Sequence, residues 1–347
     1  MSNVATFASP YPSFPEPDFD VIVQSTKDIS RLAVFRSEKL MAVMDKAQRA
    51  SGYALDLNTA IGEELVGAST KLQNLDFSDL FSQLGEIDAE LSKGQLSADE
   101  IKEAQGARQE LEGVFANGIR DAKGKLRQGA ARVSQKTSEL TGVVLAERTK
   151  DTLAQHEERQ PSIIASISEK RAAWKALDGD RAKIIAAQDV IRARNIADVM
   201  KDFIPKDLEK LDLKKPEVEA VKLGVEVLKK ILGEVSEGFK YSDLADQRLA
   251  FDRKIATLDG EIQQLVEEQK KNDILIEDLK AVMTVDDKRD AVAAEANKLT
   301  TAFSGFADAL DKLSGSAVTE VSVNRLLGTI KSYVGNCLDA RNKVIIV

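Results

Sequence analysis

The stretch Phe251-Asp-Arg-Lys-Ile255-Ala-Thr-Leu258-Asp-Gly-Glu-Ile262-Gln-Gln-Leu265 places an apolar residue at alternating spacings of four and three. Carried on, the same spacing takes in Gln269, Asn272, Ile276, Leu279 and Met283. A seam sustained over more than four heptads is what a helix needs to stay packed along a partner helix. Upstream the pattern recurs through Ile163, Ile167, Lys170, Trp174, Leu177, Arg181, Ile184, Gln188, Ile191 and Asn195. The two seams, 163–195 and 251–283, have equal length, as the arms of one antiparallel hairpin require. Polar seam positions fix register at some loss of stability. A lone helix pair leaves the flanks of its seam open, so the other long helices are expected to cover it in an elongated bundle.

The rest of the chain agrees with an all-α fold. Pro10, Pro12, Pro15 and Pro17 make residues 1–20 an extended proline-rich arm. Beyond it the only prolines are Pro161, Pro205 and Pro216, and strong helix formers dominate. One helix is expected from about Thr26 to Lys71, with Ile29, Leu32, Leu40, Val43 and Ala47 at helical spacing, and a second from Asp76 to Leu91. After a break at Lys93-Gly94, Ser97-Ala-Asp-Glu100 is a capping box. The helix that it opens is expected to reach about Arg159. Gly106, Gly113, Gly118, Gly124, Gly129 and Gly142 lie along it, read either as points of close packing, the commoner reason, or as points where the helix bends. A segment from about Asp286 to Leu313 and a final helix from Val318 to about Asn342 complete the bundle, with Val344–Val347 docked on it. The expected division is arm 1–20, stalk 21–195 with 244–347, and head 196–243.

Composition narrows the function. Lys and Arg number 49 against 57 Asp and Glu, a net charge of −8 with no basic block, so nothing draws the chain to nucleic acid. One His (His156) and one Cys (Cys337) cannot build a structural zinc site, and a single Cys forms no intrachain disulfide. His156 sits in a charged run and is read as a solvated helix residue, Cys337 as a buried small apolar one, and Trp174 as core. Glu63/Glu64 and Glu267/Glu268 are read as solvated faces, not acid/base dyads. Gly62-Glu-Glu-Leu-Val-Gly67-Ala-Ser lacks the Gly-Lys of a P-loop, and Asp56-x-Asn58 lacks the later ligands of a calcium loop. No catalytic constellation remains, no cofactor is implied, and the chain is read as a non-enzyme. No apolar run is long enough to cross a bilayer, and the first residues carry no signal-peptide pattern; a soluble cytoplasmic product is expected.

The segment between the arms is the candidate site. Ile196, Val199, Met200, Phe203 and Ile204 share one face before Pro205. After a charged loop, Pro216 opens a helix to about Gly238, on which Val218, Val221, Val225, Leu228, Leu232 and Val235 form a stripe widened by Leu223, Val227 and Ile231. Glu219, Lys222, Glu226, Lys229, Lys230 and Glu234 occupy the other side. Those charges forbid a lone membrane span, each costing about 2.5–3.5 kcal/mol at mid-bilayer, but not insertion within a ring. On the residues alone, a cap packed on Ile196–Ile204 and a membrane-active element both remain open.

This combination of a long antiparallel coiled-coil pair with a small amphipathic tip resembles the α-helical pore-forming toxins. It is most similar to the B component of the xenorhabdolysin-type binary cytotoxins, locally at Asn195-Ile-Ala-Asp-Val-Met-Lys-Asp-Phe-Ile-Pro205. The resemblance implies a protein made soluble and released without a signal peptide. Such a protein pairs with an A component, forms homo- and hetero-oligomeric rings on target-cell membrane lipid, and perforates it. It further implies that Phe203, Ile204, Val218, Val221, Val225, Leu228, Ile231 and Leu232 face lipid. Lys222, Glu226 and Lys229 would face the lumen or a neighbouring protomer. The alternative class is a structural or adaptor coiled coil whose tip binds a protein.

Overall fold

The structure, a computed structural model, describes residues 13–145, 149–194, 214–232, 241–313 and 319–346. Among the described residues every regular element is helical, as expected. The order is α1 (Phe19–Leu32), a 3-10 turn (Glu38–Leu40), α2 (Met41–Gln73), α3 (Ser78–Ser92), α4 (Ala98–Thr141), α5 (Thr149–Ala193), α6 (Lys215–Leu232), α7 (Tyr241–Asp311) and α8 (Glu320–Ile346). Contacts divide the chain into two compact units, Met1–Asp151 with Glu277–Val347, and Thr152–Ile276.

The first unit is built round α2, which packs against α1, α4 and α8, while α3 lies on α4. Buried α2 residues Ala47, Ala50, Ala54, Leu57, Ile61, Leu65, Ala68 and Leu72 recur by threes and fours, so one face of the helix is sealed. Leu126 and Leu140 of α4 and Phe303 and Phe306 of α7 are buried in the same unit. A Cβ on Gly129 would stand 2.9 Å from the Phe303 ring, and one on Gly118 2.7 Å from Phe77. Gly142 is the C-cap of α4. Gly106, Gly113 and Gly124 have nothing within 4 Å, so close packing explains Gly118 and Gly129 and not these three.

Several boundaries differ from the sequence expectation. The helix expected over Thr26–Lys71 is broken between α1 and α2, because the buried Asp278 carboxylate accepts the backbone N–H groups of Arg36 and Ser37 at 2.8 and 2.6 Å. No proline or glycine marks that break. α4 stops at Thr141, where the Arg289 guanidinium donates to the Val143 carbonyl, and does not reach Arg159. α5 instead runs from Thr149 straight through Pro161, which lies on an exposed position of the helix. α7 is continuous across Asp286, and α8 continues to Ile346 with Ile345 exposed, not docked.

Part of the proline-rich arm is anchored. Tyr333 Oη donates to the Pro15 carbonyl at 3.2 Å, and Asn336 Nδ2 donates to Glu16 at 2.9 Å. Phe14 meets Phe306 edge-on, with ring centroids 4.9 Å apart, over Gly305. Asp18 then caps α1 by accepting from the Val21 amide. Cys337 is buried as expected, and burial pushes its thiol pKa up to about 12.

Glu64 departs from its reading as a solvated acid: it is 3% exposed. Its carboxylate accepts Lys125 Nζ at 2.6 Å and Arg132 Nη1 at 2.9 Å. Burial works to raise its pKa, yet hydrogen bonds from the two cations prevail and hold it below the usual carboxylate value.

The second unit contains the paired arms. As residue number climbs on α5, its partner number falls on α7: His156 with Asn272, Lys170 with Glu261, Arg181 with Asp252. The pairing is therefore antiparallel, as the equal seams require. His156 is not a solvated residue. Its Nδ1 stands 2.6 Å from Asn272 Oδ1, while Asn272 Nδ2 donates to the His156 carbonyl at 3.1 Å. A buried asparagine in the seam thus holds both the side chain and the backbone of the facing helix, which fixes register. Ile163, Ile167, Ile184, Ile191, Phe251 and Ile276 are buried, but Trp174, Leu177, Ile255, Leu258, Ile262 and Leu265 are only half-buried. Over that middle stretch the seam is only partly sealed, and Trp174 is half-buried rather than core.

Candidate functional site

α6 starts at Lys215, one residue earlier than the proline suggests, so Pro216 falls in the first turn, where backbone N–H groups have no helical partner. The Glu217 carboxylate reaches back to accept the Lys214 amide at 2.8 Å, half of a capping box. It also accepts Arg194 Nη2 at 2.8 and 2.7 Å on its two oxygens. Those bonds, the Arg194 one foremost, hold the Glu217 carboxyl below its usual range.

The stripe is buried. Val221, Val225 and Leu228 are 1%, 5% and 1% exposed, and Val227 joins them. They form one apolar cluster with Ile184 and Ile191 of α5 and Leu244 and Phe251 of α7, fringed by Leu177, Val190 and Tyr241. The stripe therefore packs on the arms themselves. Val218 is half-buried, and Leu223, expected to widen the stripe, is 40% exposed. Lys222, Glu226 and Lys229 are exposed on the outer face. Phe203 and Ile204 lie outside the described residues, as do the side chains of Ile231 and Leu232.

Two features of the site escape a reading of the sequence. Gly224 packs against α5, where a Cβ would stand 2.5 Å from Ala187 Cβ and 3.4 Å from the Lys183 carbonyl. Lys230 Nζ stands 3.4 Å from Asp180 Oδ2, and Lys183 Nζ stands 2.9 Å from Asp180 Oδ1. Hydrogen bonding to Lys183 is the main reason that the Asp180 carboxyl titrates below its ordinary value. A glycine amid valines hints at close approach, but nothing in the spacing couples 180 to 230 or 194 to 217.

Chemically the arrangement is an amphipathic helix with its apolar face sealed on α5 and α7 and its charged face turned outward. Among the described residues no helix is long and apolar enough to cross a membrane. Among the same residues no group of three His, Cys, Asp or Glu could hold a metal ion.

No protein-family model and no curated protein sequence matches the chain. Solved structures do. PaxB from Photorhabdus luminescens is 28% identical over 95% of this chain and 98% of its own, with a TM-score of 0.83. XaxB from Xenorhabdus nematophila is 31% identical over 95% and 100%, with a TM-score of 0.82. A chain of the XaxAB pore complex from the same organism is 30% identical over the same shares, with a TM-score of 0.76. Full-length coverage at that identity, over a buried amphipathic helix between antiparallel arms, makes this chain a member of the xenorhabdolysin-type B components, subunits of two-component α-pore-forming toxins.

Proposed function

We propose that this protein is a soluble-state pore subunit that stows α6 against α5 and α7, assembles with an A component on a target-cell membrane, and there gives the α6 stripe to lipid. Residues 196–243 act as its head, and the paired arms and the helices of the other unit as its stalk. The carrying observation is the burial of Val221, Val225 and Leu228 on the arms while Lys222, Glu226 and Lys229 face outward. A helix so divided suits either a protein core or a ring in which apolar faces meet lipid and charged faces meet water or a neighbour. In that ring Phe203, Ile204, Val218, Val221, Val225, Leu228, Ile231 and Leu232 take the lipid side.

Transfer from core to lipid changes apolar burial little, since both reward it at about 25 cal/mol per Å². Contacts made only on assembly must therefore bias the equilibrium. The outward charges make unaided insertion of α6 unfavourable, so lysis depends on the partner.

The test is depth of immersion. An environment-sensitive dye on Val225→Cys, in a Cys337→Ala background, is mixed with vesicles carrying lipid-borne quencher and with the A component. Quenching that follows dye release supports the assignment. Lysis that proceeds with the probe still unquenched would remove α6 from the membrane-facing set.

A further inference from the structure

Resting on the reading that α6 leaves its place, we propose that two ion pairs form the releasable clasp that keeps it closed: Arg194–Glu217 at its first turn and Asp180–Lys230 at its last. α6 runs antiparallel to α5 here, so both ends are met at once. Asp180 and Arg194 lie about 21 Å apart along α5, and Glu217 and Lys230 about 20 Å apart along α6, at 1.5 Å per residue. The clasp points are thus matched in span, and Gly224 sits midway between them against Ala187.

The apolar stripe holds α6 out of water but decides little between α6 docked and α6 in lipid, because core and lipid reward it alike. The ion pairs bias that choice, because each exists only while α5 lies alongside. Both also stand where solvent and salt reach them: the Arg194 side chain is 36% exposed and that of Lys230 75%.

Release strands neither acid. When α6 departs, Asp180 keeps Lys183, its neighbour on α5 at 2.9 Å. Glu217 keeps the Lys214 amide at the start of its own helix. A buried ion pair that lost one partner would leave an expensive bare charge and resist opening. Here each acid has a second partner that travels with it, so the clasp opens without that penalty. The arrangement is that of a latch, firm enough to set the resting state and weak enough for assembly contacts to undo.

The experiment reads opening directly, without membranes. Val225→Cys in the Cys337→Ala protein places a thiol under α6, and its modification rate by a maleimide reports how often the helix lifts. Arg194→Gln and Lys230→Gln each remove one clasp and leave the second partners in place. Each is expected to raise the rate about threefold, and the pair about tenfold, the range for exposed ion pairs acting independently. Raising KCl from 10 mM to 1 M accelerates modification of the reference protein and leaves the double variant unmoved. Unchanged rates in the double variant, with helical content intact by circular dichroism, would overturn the proposal. Lys230→Gln alters an exposed side chain, so it alone remains decisive if Arg194→Gln disturbs folding. A faster thiol reaction in a protein whose α6 never reaches lipid would leave the clasp standing and dismiss the reading that α6 inserts.

Discussion

Gly224 of α6 faces Ala187 of α5 so closely that a Cβ on the glycine would stand 2.5 Å from the alanine Cβ. Backbone-to-backbone approach of that kind lets Val221, Val225 and Leu228 sink between the arms on either side of the contact. The glycine is thus where the resting position of α6 is set. Gly224→Val is expected to overpack the contact and destabilise docking by about 1–3 kcal/mol. Binding of the dye ANS to the exposed stripe should rise while the arms stay helical. A variant with unaltered dye binding would show that the contact yields without moving the helix.

Replacing Val225 and Leu228 together by Asp tests both roles of the stripe, docking on the arms and contact with lipid. Both side chains are buried, so the variant should lift α6 from the arms as well as bar it from lipid. The expected signature is raised ANS binding with lysis abolished. Lysis at the parental rate would contradict the assignment of these residues to lipid.

Acid should loosen the first unit through Glu64. Its pKa is lowered on folding, so it contributes stability above its unfolded value of 4.5, and the contribution is lost as pH falls through the folded value. Glu64→Gln is expected to cost about 2 kcal/mol near neutrality, the range for hydrogen bonds to a charged group, and to flatten the stability profile below that value. Urea unfolding at pH 7 and at stepped acid pH measures both. A parallel profile in the variant would assign the acid sensitivity to other carboxylates.

Register should depend on Asn272. Asn272→Ala removes the bonds to the His156 side chain and carbonyl, and is expected to destabilise the paired arms by about 1–2 kcal/mol. Chemical denaturation followed through helical content reports the loss. No change would mean that the ion pairs elsewhere along the arms carry the register unaided.

The arms and their direction are legible because heptad spacing is a local property repeated many times along each helix. So are the capping box at Ser97 and the α6 stripe. What the spacing cannot carry is pairing between distant segments. The break at Arg36–Ser37 is made by Asp278 on α7, the end of α4 is met by Arg289, and Glu64 is buried by cations on α4. Pro161 misleads for a related reason: an exposed proline removes one helical bond, which the long packed helix tolerates. In the site, the apolar face is legible on α6, whereas its receiving surface is made of seam residues, Ile184, Ile191 and Phe251, that serve the coiled coil and the head helix alike.

The most direct measurement of the account is dye release from vesicles and red cells, with this protein alone, with its A component alone, and with both. Release only when both are present is the expected result, since α6 carries too many charges to insert without a ring. No release with both, from proteins shown by circular dichroism to be intact, would contradict the account.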